Sequence, residues 1–242
     1  MELRDRIALI TGGNSGIGRA ISLALAREGM HLGLVARDAA RLEETAAEAR
    51  RHTAVVHTYQ ADLTIPGDRG SVKASVDHDF GQLDVLVHCA GICYKGRIEE
   101  SPAGTLLRQL EVNTIAPYAL THFFLPILRR RRGQVVFINS RAGLHVHAQL
   151  SQYCASKYAL RAIADTLRAE VSADGVRVIS VYPGKIATPL QQRIHKAAGH
   201  HYNPDLFPQP EDVARTVLHA LTMPAGAEIS DIVVTPQHEP GA

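Results

Sequence analysis

The sequence has little excess charge and lacks long apolar runs. Its 26 basic and 24 acidic residues leave a formal net charge of +2 over 242 residues. Proteins that bind nucleic acids usually carry a clustered basic surface, often interleaved with aromatic residues, and neither pattern is present here. No stretch approaches the roughly 20 consecutive apolar residues that cross a bilayer. We therefore expect neither a nucleic-acid partner nor a membrane span.

Cysteine is also scarce, and its spacing argues against two kinds of site. Only Cys89, Cys93 and Cys154 are present. An odd number without a framework spacing favours reduced thiols over a disulfide scaffold. No histidine or cysteine completes a zinc pattern around Cys89 and Cys93, so we expect no metal site. The charged N-terminus lacks the apolar core of a secretory signal, which together with reduced thiols predicts a cytoplasmic protein.

The strongest run of like charge consists of the four arginines at residues 129–132. It precedes Gly133 and is typical of a helix C-terminus, where cations interact favourably with the helix dipole. The alternative interpretation is a docking patch for an acidic carrier protein.

Strand-like apolar runs alternate with helical patterns along the chain, without internal repeats or low-complexity segments. This alternation predicts one α/β domain over residues 1–242, a doubly wound parallel sheet of about seven strands with helices on both faces, in three layers. We expect strands at residues 7–10, 31–36, 54–59, 83–88, 134–139, 176–181 and 229–234. We expect helices at residues 16–25, 39–51, 66–80, 101–112, 114–130, 153–171 and 211–221.

One connection is unusually long. Residues 185–209 contain proline, glycine and histidine but no apolar repeat, so we expect an irregular segment there. Loops of this length in compact domains are often functional lids. The segment is therefore predicted to be a substrate loop that closes over a bound cofactor.

A glycine-rich turn follows the first apolar run. Gly12, Gly16 and Gly18 come directly after residues 7–10, and a helical apolar pattern begins at Gly16. Strand, glycine turn and helix together form a phosphate cradle, because glycine lets the backbone approach a pyrophosphate and the helix N-terminus presents free N–H groups. A plain strand-to-helix turn is the alternative, but the flanking strand and helix favour a dinucleotide site.

A second constellation lies in the other half of the chain. Tyr153 and Lys157 are four residues apart, and Ser140 lies thirteen residues before the tyrosine. Residues four apart share a face of a helix. A cation beside a phenol favours the phenolate, so we expect Lys157 to lower the pKa of Tyr153 from its ordinary value near 10. A tyrosine so placed can exchange a proton with a substrate oxygen near neutral pH.

Together these elements resemble the short-chain dehydrogenase/reductase family. The motif T-G-x-x-x-G-x-G at residues 11–18, Asn113, Ser140 and Tyr153-x-x-x-Lys157 follow the order and spacing of that family, over residues 6–236. The resemblance implies a Rossmann fold, a nicotinamide cofactor and four catalytic residues, Asn113, Ser140, Tyr153 and Lys157. It implies cofactor binding by Gly12, Asn14, Ser15, Gly16, Ile17, Gly18, Arg37, Asp62, Leu63, Ala90, Gly91, Tyr153, Lys157, Pro183, Gly184, Ile186 and Thr188.

The resemblance also implies a role for each catalytic residue. Tyr153 is the general acid in reduction and the general base in oxidation, while Ser140 orients the substrate oxygen. Lys157 lowers the pKa of the tyrosine and binds the nicotinamide ribose. Asn113 holds a water molecule that links Lys157 to solvent.

The end of the second predicted strand bears on the choice of cofactor. An acidic residue there would accept hydrogen bonds from the ribose of NAD, but this chain has Ala36 followed by Arg37. An arginine suits a 2′-phosphate, so NADP(H) is favoured over NAD(H). In the family, the residue matching Asp62 contacts the adenine amino group, and the one matching Thr188 holds the nicotinamide carboxamide with help from the backbone at Ile186.

The chain departs from the family pattern at one place. Many members carry Asn-Asn-Ala-Gly where this chain has His88, Cys89, Ala90 and Gly91. The asparagines help to fix the turn, so their replacement affects local stability or cofactor position. The small Ala90 and Gly91 are retained, which favours an active enzyme.

The expected substrate is a mid-sized carbonyl compound or alcohol of some polarity, because the predicted pocket walls mix apolar and polar side chains. These walls are residues 92–96, residues 141–152 and the segment after Gly184. A secondary-alcohol or sugar-type dehydrogenase and a 3-oxoacyl carrier-protein reductase are possible assignments. A redox sensor that binds NADP without turnover is a third, from a different functional class.

The resemblance further implies a homodimer or homotetramer. The helices at residues 114–130 and 153–171 commonly pair across a two-fold axis in the family. Small and apolar side chains suit such packing here, namely Ala119, Phe123, Ala159, Ala162, Ile163 and Thr166.

Overall fold

The computed structural model describes residues 2–197, 199, 201–224 and 226–237. Within them, seven parallel strands form one sheet in the order β3-β2-β1-β4-β5-β6-β7. The strands are β1 Ile7–Thr11, β2 His31–Ala36, β3 Val56–Gln60, β4 Val85–His88, β5 Gln134–Ile138, β6 Arg177–Pro183 and β7 Asp231–Val234. The predicted doubly wound sheet is confirmed.

Eight α-helices surround this sheet in the described part of the chain. They are α1 Gly16–Arg27, α2 Ala39–Ala49, α3 Pro66–Asp79, α4 Ala103–Leu110, α5 Ala116–Arg131, α6 Ser151–Val171, α7 Pro189–Ala197 and α8 Pro210–Thr222. Strand and helix ends differ from the sequence predictions by at most two residues, because local patterns locate element ends less well than element types.

Two apolar clusters, one on each face of the sheet, hold the layers together. Successive side chains of a strand point to opposite faces, and β1 is buried along its whole length. Ala8 and Ile10 belong to the cluster that packs against α1, α2 and α8. Ile7 and Leu9 belong to the cluster that packs against α3, α5 and α6.

The sheet order reverses beside β1. This strand pairs with β2 on one side and with β4 on the other. In open α/β sheets, ligands bind in the crevice at the carboxyl ends of the strands where the order reverses. The glycine turn after β1 lies at that crevice.

The predicted break between the helices at residues 101–112 and 114–130 is wrong. A π-helical turn, Glu111–Ile115, joins α4 directly to α5, and the amide of Ala116 donates to the carbonyl of Glu111. Pro117 explains the widened turn, because it has no N–H to donate to the carbonyl of Asn113 four residues earlier. Single π turns of this kind occur frequently at functional sites.

The prediction that residues 185–209 are irregular is also wrong. They contain α7 and a 3₁₀ turn, Pro204–Leu206, while Ala198 and His200 lie outside the described residues. Pro189 is the first residue of α7, where a missing N–H costs nothing. Thr188 caps the helix, since its Oγ1 accepts from the amide of Gln191 at 3.2 Å.

Candidate active site

The glycine turn is packed too closely for side chains. Gly12 has a φ of 68°, and a Cβ there would lie 2.9 Å from the amide nitrogen of Ala90. A Cβ at Gly18 would lie 2.2 Å from the carbonyl oxygen of Gly12. Ser15 precedes α1 in an extended conformation, and its side chain makes no capping hydrogen bond. The first amides of α1 are thus open to an anion, and this cradle fits a pyrophosphate.

The turn after β4 is held by a residue that the sequence analysis did not identify. The Thr11 hydroxyl accepts hydrogen bonds from the amides of Cys89 at 3.1 Å and Ala90 at 3.2 Å. His88 packs below them, with its ring stacked on Phe137 at a centroid distance of 4.9 Å. The side chains that replace the family's asparagines therefore leave the turn anchored through its backbone.

A cavity of about 330 Å³ at the carboxyl ends of β2 and β3, which we call the adenine cavity after the predicted role of its residues, is lined by Arg37, Gln60, Ala61, Asp62 and Asp68. The predicted residues Arg37 and Asp62 are thus brought together. Leu63 is buried directly after them.

Asp62 has protein partners of its own. Its Oδ1 accepts from the Thr64 hydroxyl at 2.7 Å, and its Oδ2 accepts from Arg108 at 3.1 Å. Although burial acts to raise the pKa of Asp62, these hydrogen bonds hold it below its ordinary value. Arg108 lies on α4, far from Asp62 in sequence, so sequence reasoning gave no signal for it.

The carboxyl end of β6 closes the crevice from the other side. Pro183 ends that strand, and the amide of Gly184 donates to Val234 at 2.8 Å. Ile186 is buried. The Thr188 side chain approaches the glycine turn, because a Cβ at Gly16 would lie 3.2 Å from Thr188 Cγ2. Gly16 and Thr188, which follow β1 and β6, therefore lie close together at the crevice.

The predicted catalytic residues meet at the centre of this cleft. Lys157 Nζ lies 5.8 Å from the centre of the Tyr153 ring, and a hydrogen bond links Tyr153 to the Ser140 side chain. A Cβ at Gly91 would lie 4.0 Å from Lys157 Nζ and 3.5 Å from Asn113 Oδ1. Residues from β4, β5, α6 and the π turn thus surround one space at the carboxyl edge of the sheet.

The expected lowering of the Tyr153 pKa is wrong for this structure. Burial raises the pKa of Tyr153, Cys93 adds to the rise, and only the hydrogen bond with Ser140 opposes it. Lys157 is itself buried, which lowers its pKa to about 8, and its Nζ donates to the carbonyl of Ile138 at 3.0 Å. The four-residue spacing does bring Tyr153 and Lys157 together on one helix face. The loss of solvation on burial nevertheless has the largest effect on both pKa values.

Asn113 is completely buried in the π turn. Its Nδ2 donates to the carbonyl of Ile92 at 2.9 Å and to Ser156 Oγ at 3.0 Å, and its Oδ1 accepts from the amide of Ile92 at 2.9 Å. Asn113 therefore fixes the start of the predicted pocket wall and contacts the helix that carries Tyr153.

Asn139 is a further site residue that the sequence analysis missed. Its Oδ1 accepts from the amide of Ser140 at 2.9 Å, and its Nδ2 donates to the carbonyl of Lys157 at 3.2 Å. It therefore joins β5 to α6 between two of the predicted catalytic residues. Its position directly before Ser140 was the available signal.

The described residues contain no group of three or more His, Cys, Asp or Glu side chains that could hold a metal ion. Their helices include none that is both long and apolar enough to traverse a bilayer. All three cysteines are free thiols.

Comparison with known proteins identifies the family. The model of the short chain dehydrogenase family matches residues 6–199. The chain belongs to this family. The resemblance seen in the sequence is thereby confirmed, and the protein is an NAD(P)-dependent oxidoreductase of the short-chain dehydrogenase/reductase type.

Individual relatives support this assignment. An uncharacterized oxidoreductase of Staphylococcus saprophyticus is 31% identical over 98% of this chain and 99% of its own length. A glycine betaine reductase of Emericella nidulans is 34% identical over 98% of this chain, which spans only 19% of that larger protein. The structure of an alcohol dehydrogenase from the archaeon Thermococcus sibiricus, complexed with 5-hydroxy-NADP, superposes with a TM-score of 0.89. That dehydrogenase is 27% identical, and the match covers 99% of this chain and 100% of the other.

Proposed function

We propose that this short-chain dehydrogenase/reductase uses NADP(H) in preference to NAD(H) to interconvert a carbonyl compound and a secondary alcohol. The observation that carries the proposal is the meeting of Tyr153, Ser140 and Lys157 beside Gly91, in the same cleft as the glycine turn. A bound nicotinamide would supply the hydride, which is chemistry that the side chains of this site lack.

The chain's own residues supply positioning and a proton. Ser140 and the phenol of Tyr153 hydrogen-bond the substrate oxygen, and Tyr153 gives it a proton during reduction. The high pKa of the phenol suits this acid role, because the proton stays on Tyr153 until charge develops on the substrate oxygen. Lys157 contacts the ribose and, with a pKa of about 8, can pass a proton onward near neutral pH. We propose that Asn113 holds a water at the end of this relay.

The preference for NADP(H) rests on the adenine cavity. Arg37 lines it at the end of β2, and no carboxylate precedes Arg37, since Ala36 is the last residue of that strand. A guanidinium there can bind a 2′-phosphate. The archaeal alcohol dehydrogenase complexed with 5-hydroxy-NADP is consistent with this choice.

The alternative assignments receive less support. Arg129 pairs with Asp174 at 2.8 Å and Arg131 with Asp84 at 2.9 Å, so half of the arginine run is engaged within the chain rather than presented as a docking patch for an acidic carrier protein. Asp84 precedes β4, at the edge of the sheet opposite the active site. A sensor without turnover has no evident need for the assembled Tyr153, Ser140 and Lys157.

We also propose a homo-oligomer in a reducing, cytoplasmic setting. The six predicted contact residues of α5 and α6 are all half-buried or exposed, although Phe123 also packs against its own subunit's core. Tyr118 on α5 is 57% exposed and Tyr158 on α6 is 38% exposed, which adds apolar area to the same two helices. Three free thiols fit a reducing compartment.

Substitution of Tyr153 by Phe tests the activity. The purified protein is assayed for NADPH oxidation with a panel of ketones, aldehydes and keto sugars, and NADPH affinity is measured in parallel by fluorescence. Because Tyr153→Phe removes the transferable proton but keeps the ring, we expect turnover to fall by about 10²-fold or more, with NADPH binding retained. Near-normal turnover in the variant would refute the assigned role of Tyr153.

A further inference from the structure

One wall of the predicted substrate pocket is a short extended segment, residues 92–96, which we call the wall segment. Its alternate residues are anchored. Ile92 bonds Asn113 through both its amide and its carbonyl, the Tyr94 amide donates to Gln109 Oε1 at 3.1 Å, and the Gly96 amide donates to the carbonyl of Gln149 at 2.9 Å. The middle of the wall segment is thus held by the side chain of Gln109.

Gln109 is itself oriented by a second glutamine. It is fully buried on α4, and its Nε2 donates to Gln152 Oε1 at 3.1 Å. Gln152 Oε1 also accepts from the Thr105 hydroxyl at 2.8 Å, and its Nε2 donates to the carbonyls of Ser101 and Pro102 at 3.2 and 3.1 Å. Donors and acceptors alternate along the chain of bonds, so each amide can adopt only one orientation.

This chain of bonds ends beside the catalytic tyrosine. Gln152 directly precedes Tyr153 in the first turn of α6. Cys93, between the anchored residues Ile92 and Tyr94, interacts electrostatically with Tyr153 and Lys157, and burial raises its pKa to about 12. The Tyr94–Gln109–Gln152 connection therefore spans the space between the wall segment and Tyr153.

We propose that Gln109 and Gln152 are positioning residues of the substrate pocket. They fix the wall segment at a set distance from Tyr153 and so determine how a carbonyl substrate fits between the two. This role rests on the proposed function, since it concerns the same site.

The alternative is that the two glutamines only satisfy buried polar groups. The two roles predict different kinetics. α6 remains tied to β5 by Lys157 Nζ on Ile138 and by Asn139 on Lys157, so loss of the glutamines releases the wall segment rather than Tyr153. A loosened wall segment weakens substrate binding and so raises KM, while kcat changes little. A loss of fold stability alone leaves KM and kcat of the folded protein unchanged.

The first experiment measures steady-state kinetics for Gln109→Met, Gln152→Met and the double variant, with a ketone that the wild type reduces. Because a loosened wall weakens binding of the substrate and of the transition state alike, we expect KM to rise about 10-fold in each single variant with kcat nearly retained. We expect the double variant to lose no more than a single one, since the two act as a unit. The dissociation constant of NADPH should not change.

Gln134→Met is the matched control. Gln134 is also fully buried and donates to the carbonyl of Leu221 at 3.0 Å, but it begins β5 at the end of the sheet away from the site. We expect this variant to lose stability and keep its KM. An equal rise in KM for Gln134→Met, or effects of the two pocket variants that multiply, would overturn the proposal.

The second experiment does not depend on turnover. Iodoacetamide labelling of Cys93, a half-buried thiol, followed by mass spectrometry of its peptide, reports how accessible the wall segment leaves this thiol. We expect labelling about 10-fold faster in Gln109→Met and Gln152→Met than in wild type or Gln134→Met. Equal labelling rates would overturn the positioning role. A wild type without any turnover would instead overturn the proposed function, while the labelling result would still stand.

Discussion

At the scale of single residues, burial strongly constrains the charge of His88. It is buried at the end of β4, its Nε2 lies 2.8 Å from Thr121 Oγ1, and its Nδ1 has no partner in the described part of the chain. Burial lowers the pKa of His88 to about 3, so the folded protein keeps it neutral at pH values where the unfolded chain is protonated.

This difference predicts a specific acid sensitivity. Because the folded pKa lies below the unfolded value of about 6.5, the contribution of His88 to stability is complete above pH 6.5 and is lost as the pH falls toward 3. The loss amounts to about 1.4 kcal/mol per pH unit in that window. His88→Asn should flatten the pH dependence of urea unfolding between pH 6.5 and 4.5. Parallel curves for wild type and variant would contradict the burial argument.

Arg37 carries the prediction on cofactor choice. If its guanidinium binds the 2′-phosphate, wild type should bind NADPH at least about tenfold more tightly than NADH, a difference of about 1.4 kcal/mol. Arg37→Gln should remove most of that preference by weakening NADPH binding alone. Fluorescence titration with both cofactors measures this. Arg41→Gln, an exposed arginine paired with Asp38 on α2, serves as the control and should leave the ratio unchanged.

At the scale of elements, the described residues between 187 and 208, namely 187–197, 199 and 201–208, form a small unit of their own. The amide of Ala187 donates to the carbonyl of Pro208 at 2.9 Å, and this hydrogen bond joins the two ends of the unit. Inside it, the rings of His195, Tyr202 and Phe207 pack together, with Tyr202 stacked on Phe207 at 5.8 Å. Packing of these rings gives the segment more internal contact than its composition suggests, so it would move as a body rather than as a loose loop.

We predict that NADP binding closes this unit. Hydrogen exchange of its amides should slow when NADP is added, because closure excludes water around the site. Exchange that is equally slow with and without NADP would favour a rigid surface segment with no gating role.

Thr188 links the unit to the cofactor site through its packing against Gly16 and its cap on α7. Thr188→Ala should therefore lower turnover and reduce the NADP-dependent protection, with little effect on affinity at the adenine end. Thr216→Ala on α8, whose hydroxyl bonds only the carbonyl of Val213 in its own helix, is the control and should leave both measurements unchanged.

At the scale of the whole molecule, the exposed face of α5 and α6 predicts self-association. Light scattering at micromolar concentration should give a mass of at least twice the 26.2 kDa of one chain. Tyr118→Glu should shift the protein toward the monomer, because it places a charge in the apolar contact. Leu206→Glu changes an equally exposed residue outside these helices and should not. A wild-type monomer would contradict the prediction.

The sequence alone predicted the features that depend on residues close to one another along the chain. The turn with Gly12, Gly16 and Gly18, the seven strands, and the shared face of Tyr153 and Lys157 follow from backbone geometry and periodicity over a few residues. Arg37 was identified from its place at the end of the second strand, whereas Ser140 and Asn113 were identified from the order and spacing of the family's motifs. The structure brings all of them to the carboxyl edge of the sheet, as the topology requires.

The tertiary structure determined the features that depend on contacts between residues far apart in the sequence. The pKa of Tyr153 rises instead of falling, because its burial outweighs the hydrogen bond with Ser140. The helix of residues 189–197 begins at the cap provided by Thr188. The π turn at Asn113 forms because Pro117 lacks an N–H. Both are weak signals in the sequence. The Gln109–Gln152 connection joins residues 43 positions apart. No local pattern specifies such a contact, because it exists only once packing has fixed the distance between α4 and α6.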